Sequence, residues 1–173
     1  MKYLLIIDMQ NDFISQALGT PEAPGIVEPV CRLIRGFEGE VIYTRDTHQE
    51  NYLETQEGRK LPVPHCIQGS DGWQICDEVA ACINPENTIV DKITFGAVDL
   101  PKILLEKNGG EVPEEIHFAG LCTDICVISN AMICKAAFPE TSIIVHSDCC
   151  AGVTPESHRT ALAAMEACQI EIL

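Results

Sequence analysis

Short apolar runs alternate with segments of helical spacing along most of this chain. Lys2 to Asp8 (KYLLIID) is apolar almost throughout and ends in an acid, as a strand buried on both faces of a parallel sheet would read. Ile26, Val30, Leu33, Ile34 and Phe37 recur at helical spacing after a stretch punctuated by Pro and Gly, which predicts a helix over 26–37. Glu40 to Arg45 (EVIYTR) is strand-like. The polar stretch from Asp46 to Gly72 has no clear period and is broken by Gly and Pro, which predicts a functional loop excursion. A helix is expected over 73–83, a short strand over 88–91, and a helix over 100–107 that stops at Asn108-Gly109-Gly110. Glu115 to Ala119 reads as a strand, 123–137 as a helix, and Ser142 to His146 as a strand. A last helix spans 155–167, with Thr154 as N-cap and Pro155 in the first turn. Gln169 to Leu173 reads as a closing strand.

Strands that alternate with helices predict an α/β fold: a three-layer doubly wound sheet of about six strands, mostly parallel, with helices on both faces. One domain over residues 1–173 is expected, carrying the excursion at 46–72. Ligands of such sheets bind beyond the carboxyl ends of the strands. The residues that close the strands are Asp8, Asp46 with His48, Lys92, and the segment from Gly120 to Cys126. No G-x-G-x-x-G follows the first strand, so a dinucleotide site lacks its defining residues.

Composition narrows this picture. The 173 residues are 46% hydrophobic and 21% charged, a globular balance that excludes disorder and low complexity. No apolar run reaches the roughly 18 residues of a membrane span, and no signal peptide is evident. A cytoplasmic location is expected. The formal charge of −15 disfavours nucleic acid and anionic membrane as partners, and favours a neutral or cationic small molecule over a dianion. The ten cysteines form no C-x-x-C pair, so a zinc ribbon or thioredoxin-type site has no support. Cys31, Cys76, Cys82, Cys134 and Cys168 lie in apolar periodic segments and are expected to be buried, reduced thiols.

The chemistry concentrates at the strand ends. Cys126, in G-L-C-T-D-I-C-V, opens a helix, where free N–H groups and the helix dipole lower a thiol pKa and can hold an oxyanion. Asp8 is placed to accept a thiol proton, and Lys92 to stabilise the thiolate. Each residue alone has a plainer explanation: a packing cysteine, a turn-capping aspartate, a solvated lysine. Asp46 and His48 are spaced i, i+2, which puts both on one face of an extended segment. With His65 they offer a donor set suited to zinc, iron or manganese, and Glu54 is the fourth candidate. His117 and His146 read as satisfied strand histidines and His158 as a helix-surface residue. Cys149-Cys150 reads as packing, with a redox pair as the alternative.

Four segments then resemble one family. L-L-I-I-D-M-Q-N-D-F, T-R-D-T-H with P-H-C-I-Q-G-S-D-G, V-D-K-I-T-F-G and G-L-C-T-D-I-C-V resemble, in order, the segments of the isochorismatase-like cysteine hydrolases of the nicotinamidase-related branch. The resemblance implies a triad of Asp8, Lys92 and Cys126. It also implies a cis peptide between Leu121 and Cys122, with the backbone N–H groups of Cys122 and Cys126 as the oxyanion hole. It implies a substrate pocket at Phe13, Pro62 and Leu121. A divalent metal, zinc ahead of iron or manganese, would be held by Asp46, His48 and His65, with Glu54 where some members carry another histidine. No organic cofactor is expected, and a homo-oligomer is. The chain departs from the branch where Pro62 replaces a pocket tryptophan; its one tryptophan, Trp73, lies elsewhere.

The function this implies is a cysteine-dependent amidohydrolase. It would cleave a small carboxamide such as nicotinamide to the acid and ammonia through a thioester. The alternatives are a hydrolase of a ureido or other non-aromatic amide, or a non-catalytic metal-binding or redox-sensing protein on the same fold.

Overall fold

A computed structural model describes residues 1–173. The chain runs β1 (Lys2–Ile7), α1 (Asn11–Ile14), α2 (Ala23–Gly36), β2 (Glu40–Asp46), α3 (Gln56–Lys60), α4 (Asp77–Ala80), β3 (Thr88–Lys92), α5 (Leu100–Lys107), β4 (Glu115–Leu121), α6 (Ile128–Ala137), β5 (Ser142–Ala151), α7 (Pro155–Ala167) and β6 (Glu171–Ile172). The six strands form one sheet in the order β3-β2-β1-β4-β5-β6, and every pairing is parallel. The chain winds outward in both directions from β1 and β4, so the strand order reverses between them, where a crevice opens at the carboxyl edge.

The continuous apolar run of β1 has a direct cause. Leu4 and Ile6 face one core with Tyr43 of β2 and Ile26, Val30 and Ile34 of α2. Tyr3, Leu5 and Ile7 face the other with Phe118, Leu100, Leu104, Ala131 and Met165. Successive side chains point to opposite faces, and helices cover both.

α5 and α7 fall where the helical spacing puts them. Thr154 caps α7: its Oγ1 accepts from the Ser157 N–H at 3.0 Å, and Pro155 opens the first turn. Other bounds shift for identifiable reasons. The helix expected over 73–83 shrinks to α4 because the chain before it bonds to the β1–α1 turn. The Cys76 N–H donates to Met9 O at 2.9 Å, and the Asn11 N–H donates to Gln74 O at 3.0 Å. β5 runs on past His146 because, after a register shift, Cys150 and Ala151 pair with Gly120 and Leu121. The helix expected from Thr123 opens as a π-helical turn over Thr123–Val127 before α6 begins. The excursion is not formless: a 3₁₀ turn at Tyr52–Glu54 leads into α3, whose N-cap Thr55 accepts from the Gly58 N–H at 3.0 Å.

All ten cysteines are free thiols. Cys31, Cys76 and Cys134 are buried as expected, but Cys82 is half-buried and Cys168, the C-cap of α7, is exposed. Cys149 and Cys150 face different cores, which alternation along β5 requires. No helix is long and apolar enough to cross a membrane.

Candidate active site

The ends of β1, β2 and β3 and the turn after β4 converge on one buried group. Asp8 follows β1 with φ +47° and is fully buried. Thr44 holds it: the Thr44 hydroxyl donates to Asp8 Oδ1 at 2.6 Å, and the Asp8 N–H donates to Thr44 Oγ1 at 3.2 Å. Asp46 and Lys92 end adjacent strands in direct register. The Lys92 ammonium lies 2.6 Å from Asp8 Oδ2 and 3.3 Å from Asp46 Oδ1. It donates to Thr94 O at 3.1 Å and to Cys126 Sγ at 3.5 Å. Lys92 is thus buried with two carboxylates and a thiol around it, not solvated at the surface.

The charges of this group act on one another across a few ångströms. Burial pushes the Asp8 carboxyl up and a neighbouring Asp46 adds to this, while Lys92 opposes it; the net shift is upward. Burial, then Asp8, raise the Cys126 thiol well above its usual value against the pull of Lys92. The lowering expected from a helix N-terminus does not prevail, because a second anion in a closed site costs more than the dipole returns. Burial disfavours the Lys92 ammonium, but Asp8, Cys126 and Asp46 outweigh it and hold its pKa above the ordinary value. The Asp8 carboxyl and the Lys92 ammonium thus lie side by side next to the Cys126 thiol. Moving the thiol proton to Asp8 relocates one negative charge without adding another.

Asp46 joins this group to a second one. Its Oδ1 faces Lys92, while Oδ2 lies 3.0 Å from His48 Nε2 and 3.5 Å from His65 Nε2. Glu57 Oε1 is 3.6 Å from His48 Nε2 and 3.8 Å from His65 Nε2. Ligand atoms of Asp46, His48, Glu57 and His65 lie within 4.8 Å of one another. Ligands about 2.1 Å from a tetrahedral zinc ion are roughly 3.4 Å apart, so the donor set fits a divalent metal. His65 Nδ1 donates to Val63 O at 2.8 Å, which leaves Nε2 as the free donor atom. Burial works against the Asp46 carboxylate, but His48, His65 and Lys92 hold its pKa below the usual carboxylate range.

Glu54 does not join this cluster. It ends the 3₁₀ turn and is exposed, and Glu57, in the first turn of α3, stands in its place. Between the two groups opens a narrow pocket of about 40 Å³, lined by Phe13, Leu18, Asp46, Glu57, Leu61, His65, Phe95, Cys122, Ile125 and Cys126. Phe13 is there, edge-on to His65 at 5.6 Å. Two expected pocket residues are not: Pro62 is exposed and its neighbour Leu61 faces the pocket, while the Leu121 side chain packs in the core. The Leu121–Cys122 peptide is cis.

Several positioning residues escape a reading of strand ends. The buried Gln10 side chain donates to Asp46 O and Trp73 O, both at 2.9 Å, and accepts from the Asp46 N–H at 2.7 Å. Asp12 Oδ2 accepts from the Cys66 N–H at 2.7 Å, pinning the segment that carries His65. Asn130 donates to Cys126 O at 2.8 Å and to Phe95 O at 3.1 Å, and accepts from the Ala97 N–H at 2.9 Å. Gln10 and Asp12 sit in the D-M-Q-N-D-F segment, and Thr44 is in phase with Asp46 along β2; Glu57 and Asn130 carry no comparable signal. Away from the site, His117 bonds His146 at 2.9 Å and Glu115 at 3.0 Å. His158 is not a free surface residue: its Nδ1 lies 2.8 Å from Thr123 Oγ1.

Fold and site place the chain among three-layer α/β proteins with a ligand pocket at the switch point of a parallel sheet. Residues 2–173 match the isochorismatase domain model, and the chain belongs to the isochorismatase family. It is 32% identical over 176 residues to the uncharacterized isochorismatase family protein PncA of Bacillus subtilis, spanning 94% of this chain and 92% of that one. It is 30% identical over 192 residues to the nicotinamidase of Escherichia coli, spanning 94% and 89%. Its fold superposes on the zinc complex of Pyrococcus horikoshii pyrazinamidase with a TM-score of 0.84 at 28% identity, covering 99% and 98% of the two chains.

Proposed function

We propose that this chain is an amide hydrolase that cleaves a small nicotinamide-like carboxamide through a Cys126 thioester. The observation that carries the reading is the Lys92 ammonium, 2.6 Å from Asp8 and 3.5 Å from Cys126 Sγ, at a pocket that the metal-ligand cluster also lines. The likeness to the Escherichia coli nicotinamidase supports amide hydrolysis and a substrate of that kind. The zinc-bound relative supports a divalent metal, zinc first among the candidates.

Asp8 takes the Cys126 proton, and Lys92 balances the charge as it moves. The sulfur attacks the amide carbonyl carbon, and the Cys122 and Cys126 backbone N–H groups receive the oxyanion. Protonated Asp8 then donates to the departing nitrogen, and ammonia leaves. Water gives a proton to Asp8 and attacks the thioester; the acid departs and the thiol is restored. A divalent metal on Asp46, His48, Glu57 and His65 would supply a Lewis-acid point that orients the substrate.

The test is ammonia release from a carboxamide panel by wild type and Cys126→Ala, both loaded with zinc. Turnover by wild type and at least a thousandfold loss in the variant are expected. Equal rates would overturn the cysteine mechanism. A wild type that binds metal yet releases no ammonia would favour the non-catalytic reading.

A further inference from the structure

An oxyanion hole needs N–H groups that converge on one point, and a donor serves there only within about 2.7–3.1 Å of the oxygen. The two groups proposed here belong to the π-helical turn over Thr123–Val127 and to Cys122, its N-cap. The Cys122 carbonyl accepts from the Ile125 and Val127 N–H groups at 3.1 and 3.0 Å, so the turn closes on itself. Asn130 holds its far end through Cys126 O at 2.8 Å. Its near end begins at Thr123, a fully buried residue whose side chain does not line the pocket.

That side chain meets α7 instead: Thr123 Oγ1 and His158 Nδ1 lie 2.8 Å apart. His158 sits one turn into α7, its N–H donating to Thr154 O at 3.0 Å, and the capping box of Thr154 and Ser157 fixes the start of that helix. A second tie runs alongside, from the Val153 N–H to Asp124 Oδ1 at 3.0 Å. Gly152 permits the close approach, because a Cβ there would lie 2.9 Å from His158 Cβ and 3.0 Å from Asp124 Oδ1. Thr123 and Asp124, which directly follow Cys122, are thus both tied to the start of α7.

We propose that His158 is a positioning residue of the oxyanion hole: through Thr123 it fixes the direction of the Cys122 N–H relative to that of Cys126. The inference rests on the amide-hydrolase reading and deepens it. His158 does not line the pocket and acts only through the turn. An interaction that gains strength only once the oxyanion forms changes kcat and leaves KM alone. Misplacing a reacting or stabilising group by about 1 Å costs up to about a hundredfold in rate.

The test measures ammonia release from nicotinamide by zinc-loaded wild type, His158→Ala, His158→Asn, Thr123→Val and the double variant His158→Ala/Thr123→Val. His158→Ala and Thr123→Val should each lower kcat roughly ten- to a hundredfold at unchanged KM. The double variant should lose no more than either single one, because both remove the same contact. His158→Asn, whose amide offers a donor or an acceptor in place of Nδ1, should restore most of kcat. A fall in melting temperature with kcat unchanged in the folded protein, or His158→Asn no better than His158→Ala, overturns the proposal and leaves a packing residue. Binding of pyridine-3-carboxaldehyde reads the hole without amide turnover. The Cys126 sulfur adds to its carbonyl carbon, the thiol proton passes to the carbonyl oxygen, and that oxygen takes the oxyanion position in the hemithioacetal. Its affinity should fall with kcat in His158→Ala and Thr123→Val and recover in His158→Asn. If wild type releases no ammonia but the aldehyde affinities follow this order, the amidase reading fails and the positioning role stands. Equal aldehyde affinity in all variants, or none in wild type, overturns the positioning role.

Discussion

Lys92 is the most demanding test of the electrostatic argument. Its ammonium is buried against Asp8 at 2.6 Å and Asp46 at 3.3 Å. Lys92→Met keeps the length and apolar stem but leaves two buried carboxylates without their cation. Removing one partner of a buried pair costs about 3–5 kcal/mol. At about 2–4 °C per kcal/mol for a domain of this size, the melting temperature should fall by roughly 6–20 °C. The loss should depend on pH with a definite sign. Burial and Asp46 already raise the Asp8 pKa above its unfolded value, and without Lys92 it rises further. A group with a raised folded pKa contributes stability below its unfolded pKa and loses it as pH rises through the folded one. The deficit against wild type should therefore be larger at alkaline pH and shrink on acidification. The assay is guanidinium unfolding of both proteins, stripped of metal so that ligand protonation is common to the pair. A deficit under about 1 kcal/mol, the scale of an exposed pair, or one that grows on acidification, would refute the reasoning. Activity should also fall sharply, since the charge moving between Cys126 and Asp8 would lose its adjacent cation.

Four other outcomes follow from the same geometry. Glu57→Gln should weaken zinc binding by more than tenfold in a chelator competition, whereas Glu54→Gln should leave it unchanged; the reverse order would restore Glu54 to the metal site. Gly120→Ala should destabilise by more than about 3 kcal/mol or abolish folding, because φ is +120° and a Cβ would lie 2.1 Å from Ile7 O. Chemical denaturation or soluble yield reads this. A charged thiol reagent on native protein should modify Cys168 first, since it is exposed while eight of the others are buried; peptide mapping with Cys126 ahead of it would contradict the raised thiol pKa. Asn130→Ala should lower kcat, because Asn130 holds both Cys126 O and Phe95 O. An effect on stability alone would limit it to packing.

The primary structure carried the architecture because each strand and helix is a local statement. A run such as KYLLIID can be satisfied only between two apolar layers, and the ends of such runs are where a parallel sheet binds its ligands. Asp8, Asp46 and Lys92 were legible for that reason, and Cys126 because it follows the turn after β4. What the pattern could not supply was the path of the excursion, whose polar residues have no period. The choice of Glu57 over Glu54 depends on a 3₁₀ turn and a short helix, and a displacement of three residues along them changes which carboxylate faces the histidines. The same holds for Leu61 against Pro62, and for Phe95, whose position is fixed by Asn130 from a helix 35 residues away in sequence. The cysteines divide in the same manner. Apolar surroundings rightly marked Cys31, Cys76 and Cys134 for the interior, but Cys168 ends its helix, where local hydrophobicity does not decide exposure. Periodicity encodes which face of an element is buried; only the tertiary fold decides which polar groups meet, because that depends on distances across the sheet edge that no local spacing contains.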